Sequence, residues 1–497
     1  MLFWLCCIAV VPAIVFGGAT HAGYLGDVAV QLLSIPLLIV ALWPMLSTHD
    51  PHRHKARLTF ALLCTVALLT LIQVLPLPFD VWHGGSSLLS WPAALEVEPR
   101  LAPWPMLSLT PQATWAAAAS LIVPVAVFGA VSQLGLRHRS ILSWLLLALG
   151  GISLILGFAQ VAQGPESTLR FYDITNPGEA VGFFANRNHF AAQLYVTLVL
   201  AAAWLQILAE RAFQRKETGT HSILLFVGSA AFLVAVVAGL ALARSRAGIF
   251  LTIAALGGIA FMAFKGAPAA SERRSPLRSG RHATLIVLAF AAIFAAQFGL
   301  GGILTRFQTA QGPDLRGSFN TTTFETVLKA LPFGTGLGSF VPVYAAVEKA
   351  KDIFNGYANR AHDDLAELLL ETGIAGGGLL LVFLAWFLWR TYLVWFRPQT
   401  AAPPVQIMLE RAATLIIALM LAHSLGDYPL RTTALSTAFA FMCAILASPV
   451  AALPIEERSH RPADLDVPHY LPPESDVSEG TWGSDVHWPE DWQKREA

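Results

Sequence analysis

Apolar runs of membrane length recur along the whole chain, at about residues 2–18, 26–46, 58–77, 113–134, 141–162, 189–209, 222–243, 247–264, 283–304, 374–396, 412–427 and 432–450. A membrane helix needs roughly 20 mostly apolar residues. The pattern therefore predicts an all-α polytopic membrane protein of about twelve transmembrane helices, the first and eleventh being short. One long polar segment, Thr305–Gly373, interrupts the series. Within it, TTTFETVLKAL predicts a helix with Phe324, Val327, Leu328 and Leu331 on one face. AHDDLAELLLETG predicts another, with Asp363 and Asp364 in its first turn, Leu365, Leu368 and Leu369 as its apolar stripe, and Gly373 at its end.

Composition agrees with this layout. Of 497 residues, 55% are hydrophobic and 13% charged, against about 25% charged in soluble domains. The formal net charge is zero, so no basic field points to nucleic acid. Cys6, Cys7, Cys64 and Cys443 all lie in apolar runs, without spacing for a disulfide framework, haem or zinc. The N-terminus has no positive region before its apolar run, which reads as a first span rather than a cleaved signal. With both termini cytoplasmic, the cytoplasmic connections carry fifteen Lys and Arg. The opposite connections carry six once the long segment, which contributes little to the bias, is set aside. The long segment is thus expected outside. Trp82, Trp91 and Trp104 in residues 78–112 suit a cap at the lipid–water boundary better than a sugar-stacking site. Residues 451–497, rich in Pro, Asp, Glu, Trp and His without apolar periodicity, read as a disordered cytoplasmic tail.

A few polar residues stand out. Arg244 and Arg246 in LARSRAG separate two apolar runs by only three or four residues. Charge near a membrane core is costly, and the planar guanidinium fork suits a phosphate or diphosphate; the plainer alternative is snorkelling at the interface. Arg316, just ahead of TTTFETVLKAL, competes with Arg306 and Arg360 as a further cation. GTGLGSF (334–340) lacks dinucleotide-loop spacing and suits a tight turn packed on the membrane helices. His362 is open to three readings: a general base, a metal ligand with Asp363 or Asp364, or a polar helix start. Asn186, Arg187, Asn188 and His189 begin the sixth run, either as an anion-binding helix start or as an interface cap. His423 and Asp427, beside the eleventh run, carry no assigned role.

In chain order, GFFANRNHFAAQL, LARSRAG, LRGSFNTTTFETVLKALPFGTGLGSF and NRAHDDLAELLLETGIAG form one pattern. Together they resemble the O-antigen ligase family, which includes O-antigen-type polymerases and protein-glycosylating ligases. The resemblance covers about residues 180–430. His362-Asp363-Asp364 stands where members often carry His-Asn-Asp, a mild departure that adds an acid beside the histidine. The resemblance implies a GT-C-like membrane glycosyltransferase with N-terminal helices (1–180), a ligase-like core (181–450) holding the 305–373 periplasmic loop, and the tail. It implies transfer, with inversion and with neither cofactor nor metal, of a glycan from undecaprenyl diphosphate to a glycan, lipid-core or protein hydroxyl. The place would be the periplasmic face of a bacterial inner membrane. Residue by residue, Arg246 and Arg316 would bind the diphosphate and His362 would activate the acceptor, with Arg244, Asn186 and Asn188 in support. Polymerisation of lipid-linked repeats fits the same residues, and a small-anion transporter is the alternative from another class.

Overall fold

The structure is a computed structural model that describes residues 1–20, 23–76, 106–214, 220–265, 289, 315–353, 357–397 and 402–447. The expected ninth run at 283–304 (residue 289 apart), the tryptophan cap, Arg306 and the tail lie outside the described residues. Residues 1–451 form one unit.

The described residues fold into α-helices, joined by short 3-10 turns. They are α1 (Leu2–Phe16), α2 (Leu25–Leu42), α3 (Arg53–Val74), α4 (Pro111–Ser120), α5 (Ile122–Gln133), α6 (Leu136–Gln163) and α7 (Arg187–Gln214). There follow α8 (Thr220–Ala243), α9 (Arg246–Lys265), α10 (Leu315–Ala330), α11 (Phe340–Val347), α12 (Asp364–Phe396), α13 (Pro404–His423) and α14 (Thr433–Ala447). Eight helical segments are long and apolar enough to cross a membrane, with α4 and α5 together making one of them. Three shorter apolar helices lie at Leu2–Phe16, Val227–Ala243 and Thr433–Ala447. The chain is an all-α, multi-pass membrane protein. The eleventh run is longer than its apolar core suggested. Its helix starts at Pro404, and Gln406, Glu410 and Arg411 in its first turns are buried by neighbouring helices.

At the centre of the bundle stands α7, nearly all buried, with α6, α8, α9 and α13 around it. Its alanines and the glycines facing it let the backbones approach closely, the usual means of association where lipid removes the hydrophobic drive. A Cβ on Gly150 of α6 would lie 2.1 Å from Thr197 Oγ1 of α7. Large exposed apolar residues such as Ile155, Phe250, Leu381 and Val382 form the lipid-facing surface.

Gly373 breaks α12 into two helices, with φ 57° and ψ −145°. A helix broken this way frees carbonyls that must find donors. The Leu370 carbonyl accepts from Thr335 N at 2.9 Å, and the Glu371 carbonyl from Gly336 N at 3.0 Å and Gln73 Nε2 at 2.8 Å. In return Ile374 N donates to the Pro332 carbonyl at 2.9 Å. GTGLGSF is therefore a packing turn, with left-handed backbone at Gly334, Gly336 and Gly338. A side chain on Gly373 would put Cβ 2.1 Å from the Pro332 carbonyl. We expect Gly373→Ala to cost at least about 1–3 kcal/mol, read as a lowered unfolding temperature of the purified protein. Gly378→Ala, with nothing within 4 Å of the new Cβ, should leave that temperature unchanged.

Candidate functional site

Several helix ends converge at one end of the bundle: the starts of α7, α9, α12 and α14 and the ends of α8 and α13. The link between α13 and α14 runs through Ser424–Thr432 and holds a 3-10 turn at Pro429–Arg431. Asp427 lies in that link, its N–H bonded back to the His423 carbonyl at 3.0 Å. Its side chain is wholly buried and meets three donors. His362 Nδ1 lies 3.2 Å from Oδ1, Tyr428 N donates to Oδ1 at 3.0 Å, and Asn188 Nδ2 donates to Oδ2.

His362 is not in the first turn of α12. It precedes the cap, with φ 56°, while Asp363 caps the helix by accepting from Leu365 N at 2.9 Å and Ala366 N at 3.0 Å. His362 and Arg244 are the described non-glycine residues with left-handed backbone, a conformation kept where surrounding contacts impose it. The contacts at His362 are specific. Glu367 Oε2 accepts from Ala361 N at 3.1 Å and Oε1 from Arg360 Nη1 at 2.7 Å, fixing the chain just before the histidine. The imidazole stacks on Phe319 of α10 (centroids 6.2 Å, 15°) and meets Tyr428 edge-on (5.0 Å, 62°). Its side chain stays 16% exposed.

The neighbouring acids bond elsewhere. Asp363 is spent on the cap, and Asp364 Oδ2 accepts from Ser424 Oγ at 2.8 Å and Leu430 N at 3.1 Å. The leucine stripe of α12 is not its most buried face. Asp364, Glu367, Leu370 and Glu371 face inward, and Leu365, Leu368 and Leu369 are only half-buried. The reason is Arg431, whose Nη1 lies 2.8 Å from Glu371 and 3.6 Å from Glu367, and whose Nε lies 3.5 Å from Asp364. Burial opposes this charge, but Glu367, Glu371 and Asp364 outweigh it and hold the guanidinium pKa above its ordinary value.

Tyr428 completes the floor. Its ring lies between His362 and His189, and its hydroxyl accepts from Asn359 Nδ2 at 3.3 Å and Asn186 Nδ2 at 3.5 Å. Burial, then Asp427, push the phenol up to about 12, so it stays protonated at neutral pH. Asn186 also caps α7, its Oδ1 accepting from Asn188 N at 2.8 Å. Arg187 pairs with Glu179 and is thereby tied to its own loop.

Of the residues singled out from sequence, His362, Asn186 and Asn188 come together around Asp427 and Tyr428. Arg244 and Arg246 are exposed where α8 meets α9, with Ser245 as the cap that accepts from Gly248 N at 3.0 Å. Gly248 packs on Ala191 in the first turn of α7 (2.6 Å to an added Cβ), so this corner adjoins the asparagines. Arg316 is inside α10 rather than ahead of it; its side chain lies outside the described residues. Asp427, noted in the sequence without a role, proves to be the hub. Tyr428, Asn359 and Arg431 carried no signal beyond being polar residues next to spans. No family model matches the chain, and no curated protein matches it.

Removing one partner of a buried ion pair costs about 3–5 kcal/mol. Arg431→Met leaves three buried carboxylates, with Arg360 still paired to Glu367. It should lower stability by about that amount in denaturant unfolding of the purified protein, while exposed Lys349→Met, whose partner Glu325 is half-exposed, should change it by less than about 1 kcal/mol.

Proposed function

We propose that the chain is an O-antigen-ligase-like glycosyltransferase, moving a glycan from undecaprenyl diphosphate to an acceptor hydroxyl at the periplasmic face of a bacterial inner membrane. A GT-C-like bundle of twelve spans with both termini cytoplasmic belongs to the same reading. One observation carries it: the solvent-reached His362, held in a strained backbone and bonded to buried Asp427 at 3.2 Å.

The chemistry follows from that arrangement. With the Nδ1 proton donated to Asp427, Nε2 keeps its lone pair and serves as the base. It takes the acceptor hydroxyl proton as that oxygen bonds to the anomeric carbon. The bond from that carbon to the phosphate oxygen breaks on the opposite face, with inversion, and its electron pair leaves on the diphosphate. Arg246 and Arg316 stabilise this leaving charge, an effect worth ~3–4 kcal/mol per well-placed donor. Asp427 orients the ring and stabilises the imidazolium, the part played by the buried carboxylate of a hydrolase triad. The energy resides in the diphosphate bond, so no nucleotide is required.

His362→Ala, Arg246→Ala and Arg316→Ala are each expected to abolish glycan transfer from purified lipid-linked donor while membrane insertion persists. A base contributes about 10²–10⁴-fold, so near-normal transfer by His362→Ala rules out the base assignment. Asp427→Asn, which preserves shape but frees the tautomer, should lower the rate without changing donor binding. The surface glycans of a deletion strain distinguish acceptors: long chains stranded on the carrier mean ligase, short lipid-linked repeats mean polymerase, and a normal profile means transport or another role.

A further inference from the structure

The helix α10 wears its apolar side outward. Phe324 is 55% exposed and Leu328 60%, and just beyond the helix Leu331 is 36% and Phe333 46% exposed. The opposite side is buried and holds Thr322, Thr323 and Thr326 with Phe319, Val327 and Ala330. The single face expected from the sequence is therefore split, with Val327 inside and its three companions outside. At 100° per residue, Phe324, Leu328 and Leu331 make one stripe, and Glu325 and Lys329 a charged strip to one side of it. Glu325 is further paired with Lys349 at 2.8 Å.

Three sectors on one helix, protein-facing, apolar and charged, match a helix lying in the plane of a lipid interface. The stripe also has a fixed level. The Pro332 carbonyl, between Leu331 and Phe333, accepts from Ile374 N at 2.9 Å. Ile374 is 62% exposed and begins the second half of α12, whose exposed Leu379, Leu381 and Val382 face lipid. The apolar stripe of α10 is thus continuous with the lipid-facing surface of a span and ends at the height where that surface begins.

We propose that α10 is an interfacial anchor, with Phe324, Leu328, Leu331 and Phe333 seated among the bilayer lipids on the site side of the membrane. The helix that supplies Phe319 to the His362 ring is then held at the depth of the headgroups, where any lipid-linked substrate presents its polar group. The anchor stands on exposure and geometry alone and does not depend on the glycosyltransferase reading.

Nitroxide labels at F324C, L328C and K329C, in the full-length chain with its four native cysteines replaced and in liposomes, test it. Power saturation with oxygen, which partitions into lipid, and with a water-soluble nickel chelate gives the depth. We expect an oxygen-to-nickel accessibility ratio several-fold higher at 324 and 328 than at 329. High nickel accessibility at 324 and 328 places the stripe in water and overturns the proposal. Low accessibility to both reagents means that protein covers it, from a second copy or a partner, and overturns it equally. If the cysteine-free chain does not fold, a photo-crosslinking phenylalanine at 324 or 328 in the native background reads the same contact. Lipid adducts there and none at 329 support the anchor; protein adducts or none at any position refute it.

Discussion

Arg431 is the residue on which the arrangement around His362 depends. It lies on the link between α13 and α14, yet its guanidinium reaches three carboxylates on consecutive turns of α12. Those carboxylates could not be buried without it, since an unpaired charge inside a protein costs several kcal/mol. With Arg431 in place, the acidic side of α12 turns inward and Leu365, Leu368 and Leu369 are left half-buried. That rotation sets Glu367 against Arg360 and the Ala361 amide, and so fixes the direction in which His362 leaves the helix start. The same link carries Asp427, four residues before Arg431, so one short connection both orients α12 and supplies the partner of its histidine.

Rigidity here comes from pairing groups that are distant in sequence. Asn188, Asp427 and His362 come from three parts of the chain, and none can move without leaving a buried polar atom unsatisfied. The break at Gly373 is secured in the same way by Gln73 and by the turn after α10. Both sides of His362 are therefore fixed: Arg431 and Glu367 hold the helix that follows it, and Phe319 and Tyr428 hold its ring. A base that must receive a proton in one direction gains from such preorganisation, because no ordering remains to be done during the reaction.

Much of the frame was legible in the sequence, because membrane-length apolar runs report helices directly. Eleven of the twelve runs overlap described helices; the ninth, at 283–304, lies outside the described residues apart from residue 289. Gly373 as a helix end and GTGLGSF as a packing turn were legible too, since only glycine adopts that backbone cheaply. His362, Asn186 and Asn188 were legible as candidates by residue type and place. Asp427 was visible only as an unassigned acid, because nothing local says that residue 427 meets residue 362. Arg431 could not be found at all: its meaning lies in three partners some 60 residues away, and its own neighbourhood reads as an ordinary interface arginine.

On α10 and on the first half of α12, the sequence places apolar residues on one face, and in the structure much of that face lies outward or half-exposed. Periodicity gives the faces of a helix but not which of them meets protein. In water the hydrophobic effect decides that question in favour of the apolar face. Beside a bilayer that preference vanishes, because lipid receives Phe324 and Leu328 as readily as a core would. Ion pairs then decide on α12, where they draw the acids inward onto Arg431. On α12 this places ionisable chemistry inside the fold, next to His362.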